Sequence, residues 1–96
     1  MTVKNIEPKY IQFVFAKYSN TGKTEQWNVA TKEDAEDLLG VVKFYAPWYC
    51  YAFFPFDKTL YEKQCLRDIA EFCEQQNKLW RIRIKMKKAT LHAQPT

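Results

Sequence analysis

Hydrophobic and polar residues alternate along the first third of the chain, and this pattern predicts a β-hairpin. Residues 10–18 are rich in strand-forming side chains and are mostly apolar on both alternating faces, as expected of a largely covered strand. Residues 23–31 keep Trp27 and Val29 on one face and polar side chains on the other. The intervening stretch, 19–22, reads Ser-Asn-Thr-Gly, which is typical of a tight turn.

A second pair of strands is predicted at residues 41–45 and 49–55. The connection Ala46-Pro47-Trp48 contains a proline, which cannot donate to a strand ladder and is therefore expected in a turn. On the return strand the small and apolar alternating set is predicted to face the core, and the set with the tyrosines is predicted to face solvent. The inward set is Cys50, Ala52 and Phe54, and the outward set is Tyr49, Tyr51 and Phe53.

Two helices of very different length are predicted between and after these strands. Residues 32–39 carry acidic residues in a first turn and end at Gly40, which predicts a short helix, with a structured loop as the alternative. Residues 60–76 place apolar side chains at intervals of three and four, which predicts a long amphipathic helix. Thr59 and Glu62 have the spacing of a capping box at its start.

The basic stretch 79–88 alternates strictly and therefore predicts a final strand. Apolar side chains would point one way and cations the other; the apolar set is Trp80, Ile82, Ile84 and Met86, and the cations are Arg81, Arg83, Lys85 and Lys87. The element order is then β-β-(short α)-β-β-α-β. We expect an α+β fold, with an antiparallel sheet of four to five strands and one long amphipathic helix packed on one face.

Length and composition favour one small cytoplasmic domain. The 96 residues fit a single domain, 1–96, with a lead-in arm at 1–9 and a loose tail at 89–96. No stretch approaches the ~18 apolar residues of a membrane span, and the first twenty residues lack the pattern of a signal peptide. The three cysteines are odd in number and irregularly spaced, which favours reduced thiols and agrees with a cytoplasmic protein.

Catalysis is not expected from these residues. The single histidine, His92, lies in the predicted tail, and no nucleophile elbow, phosphate-binding glycine loop or zinc-protease motif is present. The acidic residues at 33–37 are consecutive, so a solvated helix face explains them better than a magnesium site. The cysteines and His92 lack the pair spacing of a zinc site. No metal or cofactor is therefore predicted.

The basic stretch favours a nucleic-acid contact as the first functional hypothesis. On a strand the four cations would project from one side, about 6.6 Å apart, beside exposed aromatic side chains. We expect a single strand rather than a duplex, bound by Arg81, Arg83, Lys85, Lys87, Tyr49 and Tyr51. The competing interpretation is a solvated edge strand whose cations prevent edge-to-edge aggregation.

The second hypothesis is protein binding through the aromatic hairpin 44–56. Eight of its thirteen residues are aromatic, more than one face of a small sheet hides. Tyrosine and tryptophan dominate the binding energy of many interfaces. The residues expected to contact a host protein are Trp48, Tyr49, Tyr45 and Phe53. Two alternatives are left open: a homodimer, and a fully packed core in which Pro47 and Pro55 fold the segment back on itself.

One stretch of the chain resembles small uncharacterised proteins of bacteriophages and prophages. The residues that carry the resemblance read G-x-V-K-x-Y-x-x-W-x-x-Y-x-F-x-P from Gly40 to Pro55, followed by C-L-x-D-I-x-x-F from Cys65 to Phe72. The resemblance implies a phage gene product made in the cytoplasm of a bacterial host. Small phage proteins of this kind often bind nucleic acid or inhibit a host protein, and both hypotheses are compatible with it.

Overall fold

A four-stranded antiparallel sheet and one long helix on one of its faces make up the fold, which confirms the predicted α+β class. The structure is a computed structural model that describes residues 8–93, with side chains as far as Lys87. The strands lie in the order in which they occur along the chain. The elements are β1 (Ile11–Tyr18), β2 (Glu25–Thr31), β3 (Leu38–Tyr45), a 3₁₀ turn (Ala46–Trp48), β4 (Cys50–Pro55) and α1 (Lys63–Ala93).

The first hairpin forms as its alternation predicts. Phe13 pairs with Val29 and Phe15 with Trp27, so that the apolar sets of β1 and β2 share one face of the sheet. On this face Phe13, Val29 and Trp27 pack in the core, and Phe15 is exposed. Gly22 closes the turn with a positive φ of 71°, a conformation that glycine adopts without steric cost. The pairing register shifts between Phe15 and Lys17, which bends this edge strand and interrupts its ladder.

The second hairpin forms where predicted, but the faces of β4 are the reverse of those expected. Val42 pairs with Phe53 and Phe44 with Tyr51, and all four side chains belong to the core side. Tyr51 is only 3% exposed. A tyrosine hydroxyl needs water or a hydrogen-bond partner, and Tyr51 finds its partner in a backbone N–H inside the fold.

The predicted short helix at 32–39 is wrong, because this segment is a compact loop followed by the start of β3. Asp34 organises the loop: its carboxylate accepts the N–H of Glu36 at 2.9 Å and its backbone pairs with Thr31 and Asp37. Two helical turns would be marginal alone, whereas as a strand Leu38 pairs with Ala30 and Gly40 with Val29.

Gly40 therefore does not end a helix; it lies within β3, opposite Pro55. A Cβ atom at this position would lie 2.6 Å from both the Phe53 ring and the Phe54 carbonyl oxygen. A packed aromatic ring and a backbone oxygen cannot move aside as the end of a long, flexible side chain could. The glycine is thus required for the close approach of β4 and the Phe53 ring to β3.

The predicted terminal strand at 79–88 is also wrong, because α1 continues without a break from Lys63 to Ala93. No glycine or proline interrupts this stretch, and Asn77 lies inside the helix. Isoleucine and tryptophan cost well under 1 kcal/mol each in a helix, and cations in the last turns suit the helix dipole. A strand would also have needed a turn after residue 76, for which the sequence offers no glycine or proline.

The start of α1 lies three residues later than the capping box indicates. Glu62 acts as the cap, since its Oε1 atom accepts the N–H of Cys65 at 2.7 Å. The Thr59 hydroxyl instead lies 2.8 Å from the Phe56 carbonyl and 2.9 Å from the Tyr61 hydroxyl, and its single proton is shared between these two acceptors. Tyr61 in turn donates to the Leu39 carbonyl at 2.6 Å, which joins the beginning of α1 to β3.

The core lies between the helix and the sheet face that it covers. Phe72 stacks on Phe13, with ring centroids 4.0 Å apart, and makes an edge contact with Trp27. Leu66 lies outside this core and is exposed. The buried apolar cluster is Ile11, Val29, Val42, Tyr51, Cys65, Ile69 and Phe72.

Helix α1 also protects the outer edge of β4. Asn77 accepts the Tyr51 backbone N–H through its side-chain oxygen at 2.7 Å, which satisfies a donor that the edge strand would otherwise leave unpaired. At the opposite edge the register shift in β1 and the exposed Lys17 serve the same purpose. Residues 1–7 of the predicted arm and residues 94–96 of the predicted tail lie outside the described residues.

Candidate nucleic-acid interface

The second half of α1 and the β1–β2 turn enclose an open groove of about 670 Å³. An eight-residue strand spans about 27 Å and a 31-residue helix about 46 Å, so the helix extends well past the end of the sheet. The helix places Trp80, Arg83 and Lys87 along one side of the groove. Lys23 and neighbouring turn residues form the opposite side.

Three aromatic rings form the wall of the groove nearest the sheet. Trp80 packs against Phe44 with ring centroids 4.9 Å apart, and Tyr49 meets Trp80 edge-on at 5.1 Å. Tyr49 remains 71% exposed although two rings support it. The wall is therefore an aromatic surface whose rings are fixed by contacts with one another and remain accessible to a ligand.

Tyr49 reaches this position through an unusual backbone conformation. It follows the 3₁₀ turn in a left-handed conformation, with φ of 57°, and its N–H donates to the carbonyls of Tyr45 and Ala46. A non-glycine residue in this region costs on the order of 1–2 kcal/mol. The turn residues and the contact with Trp80 hold the ring over the groove despite that cost.

Three cations border the groove. Arg83 donates to Glu25 Oε1 at 2.8 Å, an ion pair between partly exposed side chains. Lys23 and Lys87 are exposed and form no ion pair with any residue that the structure describes. Two of the three positive charges are therefore available to an anionic ligand, and Arg83 retains further donors beside its partner.

Tyr51 lies beneath this site rather than on its surface. Its hydroxyl accepts the backbone N–H of Glu25 at 3.3 Å. Burial raises the pKa of Tyr51, against the lowering effects of the Glu25 N–H and the Arg83 charge. The prediction that Tyr51 is a solvent-facing stacking platform is wrong, and the residue instead positions Glu25 and, through it, Arg83.

The helix separates the four cations that a strand would have placed together. Arg83 and Lys87 are four residues apart and share the groove side. Arg81 and Lys85 are also four apart, but each is displaced by about 200° from Arg83 or Lys87 around the axis and faces away from the groove. Their contribution to binding remains a prediction, but the structure does not bring them to this site.

The residues predicted for protein binding are also divided among different surfaces. Trp48 is 72% exposed at the hairpin tip, beside Tyr49. Tyr45 contacts Trp48 and Phe54 on the sheet face that α1 does not cover. Phe53 lies on the core side, against Tyr61.

Sequence reasoning missed Lys23 and the role of Trp80 in the groove. The signal for Trp80 was present: Trp80, Ile84 and Lys87 recur at three and four, and they continue the buried face of Cys73 and Gln76. For Lys23 there was no local signal, because only the direction of α1 brings the helix over the β1–β2 turn.

Charge is strongly segregated along the chain. Six of the fifteen lysines and arginines lie between Lys78 and Lys88, and no aspartate or glutamate follows Glu74. The remaining residues carry nine cations and eleven anions, so the net charge of +4 comes from the second half of α1. The positive potential is therefore concentrated around the helical side of the groove.

The thiols of Cys65 and Cys73 are poorly suited to nucleophilic chemistry. Burial raises the pKa of the Cys73 thiol to about 11, and burial also raises that of Cys65. Protonated thiols are poor nucleophiles and poor ligands. Among the side chains that the structure describes, residues 8–87, no cluster of three or more histidine, cysteine or acidic groups is placed to hold a metal ion.

The helix also lacks the composition of a membrane span. In the part of the chain that the structure describes, no helix combines the length and the apolar character needed to cross a bilayer.

Comparison with known proteins places the chain among phage proteins. No family profile matches it, and no solved structure matches it. A 9.3 kDa protein of Acholeplasma phage L2, described as uncharacterized, is 33% identical over 75 residues. The match covers 78% of this chain and 91% of the phage protein. A small phage protein is thus a relative of this chain, and the chain belongs to the same family as the 9.3 kDa protein of Acholeplasma phage L2.

Proposed function

We propose that this protein binds single-stranded nucleic acid in the groove between α1 and the β1–β2 turn, without catalysis, in the cytoplasm of a bacterial host. The main support is that positive charges and aromatic rings line the same groove. Lys23 and Lys87 border it, and Tyr49 and Trp80 form part of its wall. Lysines attract phosphates, and an exposed ring offers a stacking surface to any base.

The shape of the groove favours a single strand over a duplex. Its aromatic wall can be used only by a base whose face is free, and bases within a duplex are already stacked on their neighbours. The polar side chains at its rim, Ser19 and Thr21, carry neutral hydroxyls that can hydrogen-bond to any base and so do not select a nucleotide sequence. The expected binding is therefore strongly dependent on salt and weakly dependent on sequence.

The test compares two double variants that remove the same charge from opposite sides of α1. Lys23→Gln/Lys87→Gln removes the groove cations, and Arg81→Gln/Lys85→Gln removes the cations that face away. Binding of a labelled oligothymidylate of about 12 nucleotides would be followed by fluorescence anisotropy between about 50 and 200 mM salt. We expect the groove variant to lose about tenfold or more in affinity and to show a shallower salt slope.

The matched variant should retain affinity within about threefold, since it changes only the long-range field. Equal losses in both variants would show that net charge, rather than the groove, attracts the strand. Absence of binding by the unaltered protein at the lower salt concentration would refute the proposal.

A second candidate function is inhibition of a host protein through the hairpin tip, and the exposure of Trp48 favours it. A ring that is 72% exposed at a turn is available to fill a pocket on a partner. Trp48→Ala should then abolish retention of one specific host protein on the immobilised chain after nuclease treatment, with thermal stability unchanged. Retention that disappears with nuclease, or that survives the substitution, would contradict this candidate.

A further inference from the structure

The sheet face that α1 leaves uncovered carries a second row of aromatic and basic side chains. Tyr45 meets Trp48 edge-on at 5.1 Å and Phe54 at 5.9 Å. Lys43 holds its Nζ atom 4.6 Å from the centre of the Phe54 ring. The row starts at the hairpin tip, where Tyr49 faces the groove on the other side.

This row borders a second open depression, of about 560 Å³. Lys17 and Lys43 line it together with Tyr45, Phe54 and the amide side chains of Asn20 and Gln26. No acidic side chain is among the described residues that line it. Its composition therefore repeats that of the groove: two lysines, aromatic rings and neutral polar groups.

The two depressions meet at the β1–β2 turn. Ser19, Thr21 and Phe44 line both of them. A flexible chain that leaves the groove can thus continue over the turn to the uncovered sheet face. A rigid duplex could not follow this change of direction within so short a distance.

We propose that the depression at Lys17, Lys43 and Tyr45 is a second subsite for the same single strand, so that the strand wraps the end of the sheet. This inference rests on the proposed function of the groove. A single strand presents the same pair of groups, a base and a phosphate, at every step, which matches two adjoining sites of the same composition.

Charge favours nucleic acid over a second copy of this chain. A symmetric dimer through this face would bring Lys17 and Lys43 of each copy close to those of the other, and like charges at an interface oppose association. An acidic peptide is the remaining occupant that the two lysines would accept, and the experiment below separates it.

The test uses oligothymidylates of about 4 and about 12 nucleotides, because the shorter one can fill only the groove. In Lys17→Gln/Lys43→Gln we expect unchanged affinity for the short strand and a loss of about tenfold for the long one. Lys23→Gln/Lys87→Gln should weaken the binding of both. Parallel titrations with oligouridylate determine whether RNA or DNA is preferred.

Several results would overturn the second subsite. If Lys17→Gln/Lys43→Gln binds both lengths as the unaltered protein does, the strand does not reach this face. The proposed binding in the groove is still supported in that case if Lys23→Gln/Lys87→Gln binds more weakly. If Lys17→Gln/Lys43→Gln instead loses binding of a labelled oligoglutamate but keeps its affinity for the long strand, the face accepts acidic peptides. A dimer that dissociates in this variant would assign the face to self-association.

A single substitution guards against loss of the fold. Lys17→Gln alone alters an exposed side chain that makes no ion pair with any described residue, and it spares the contact between Lys43 and Phe54. It should lower affinity for the long strand about threefold to fivefold and leave the short strand unaffected. An unchanged affinity for the long strand in this stable variant would also refute the subsite.

Discussion

Some side chains near the groove hold other residues in position and are not themselves available to a ligand, and Tyr51 is the clearest example. Its ring lies in the core and its hydroxyl accepts the Glu25 N–H at the point where β2 begins. Glu25 in turn holds Arg83 at 2.8 Å. A buried hydroxyl thereby links the core to the basic side of the groove, across residues that are far apart in the sequence.

Titration of Tyr51 provides the first prediction. Because burial raises its pKa, the folded chain keeps this proton more tightly than the unfolded chain does. The contribution of protonated Tyr51 to the free energy of unfolding is fully present below the ordinary tyrosine pKa of about 10. It is lost as the pH rises through the raised pKa of Tyr51 in the folded chain. Absorbance titration of tyrosinate should show one phase above the ordinary range.

Tyr51→Phe should remove that phase and destabilise the fold by about 1 kcal/mol, since a neutral hydrogen bond is lost. Tyr18→Phe, which alters an exposed ring on β1, is the matched control. A high-pH phase that persists in Tyr51→Phe would show that another hydroxyl is the buried one.

Among the elements, β3 depends on the absence of a side chain at Gly40. Gly40→Ala would place a methyl group 2.6 Å from the Phe53 ring and the Phe54 carbonyl oxygen. We expect it to lower the free energy of unfolding by about 1–3 kcal/mol, as overpacking does. Denaturant unfolding measures this loss.

Gly22→Ala is the comparison, because open space surrounds Gly22 and only its positive φ opposes a side chain. Its cost should be about 1 kcal/mol, with no repacking of the core. If Gly40→Ala proves as stable as the unaltered protein, β3 and β4 do not approach each other as described.

The attachment of α1 to the edge of β4 gives another prediction at the scale of elements. Asn77→Ala removes the acceptor for the Tyr51 N–H and should cost about 1–3 kcal/mol, because a partly buried donor is left unpaired. Hydrogen exchange at the Tyr51 amide should accelerate specifically. Lys78→Ala, at the next and exposed position, should leave that exchange rate unchanged, and equal acceleration in both variants would rule out the contact.

Local patterns predicted the paired strands well, because alternation and turn residues act over short distances. The hairpin around Gly22 and the turn at Pro47 form where the sequence indicates. The sequence of 79–88 predicts a strand because its alternation of apolar and basic residues fits a strand on local grounds. What decides the outcome is continuity with the preceding helix, in which Trp80 extends the face of Phe72 and Cys73.

The candidate site was only partly predictable for a related reason. Arg83, Lys87 and Tyr49 were expected to act together and do border one groove. The expectation of exposure failed for Tyr51 because a partner for its hydroxyl lies 26 residues away in sequence. Lys23 was not foreseen, because its place depends on how α1 crosses the end of the sheet.

The whole molecule has an acidic end and a basic, aromatic end. The loop at 33–37 supplies four carboxylates near the beginning of α1, where Tyr61 binds Leu39. The β1–β2 turn, the hairpin tip and the second half of α1 lie at the other end. An anionic strand approaching in solution would therefore be oriented toward the groove before contact, an effect that salt weakens.

The most direct test of the groove follows the three tryptophan indole N–H resonances during titration with an oligothymidylate of about 4 nucleotides. The Trp80 resonance should shift progressively until saturation, since Trp80 lies in the groove wall, whereas the Trp27 resonance, from the core, should not move. Amides of Lys23 and Tyr49 should shift with the same midpoint. Saturable binding that leaves the Trp80, Lys23 and Tyr49 resonances in place would contradict the account.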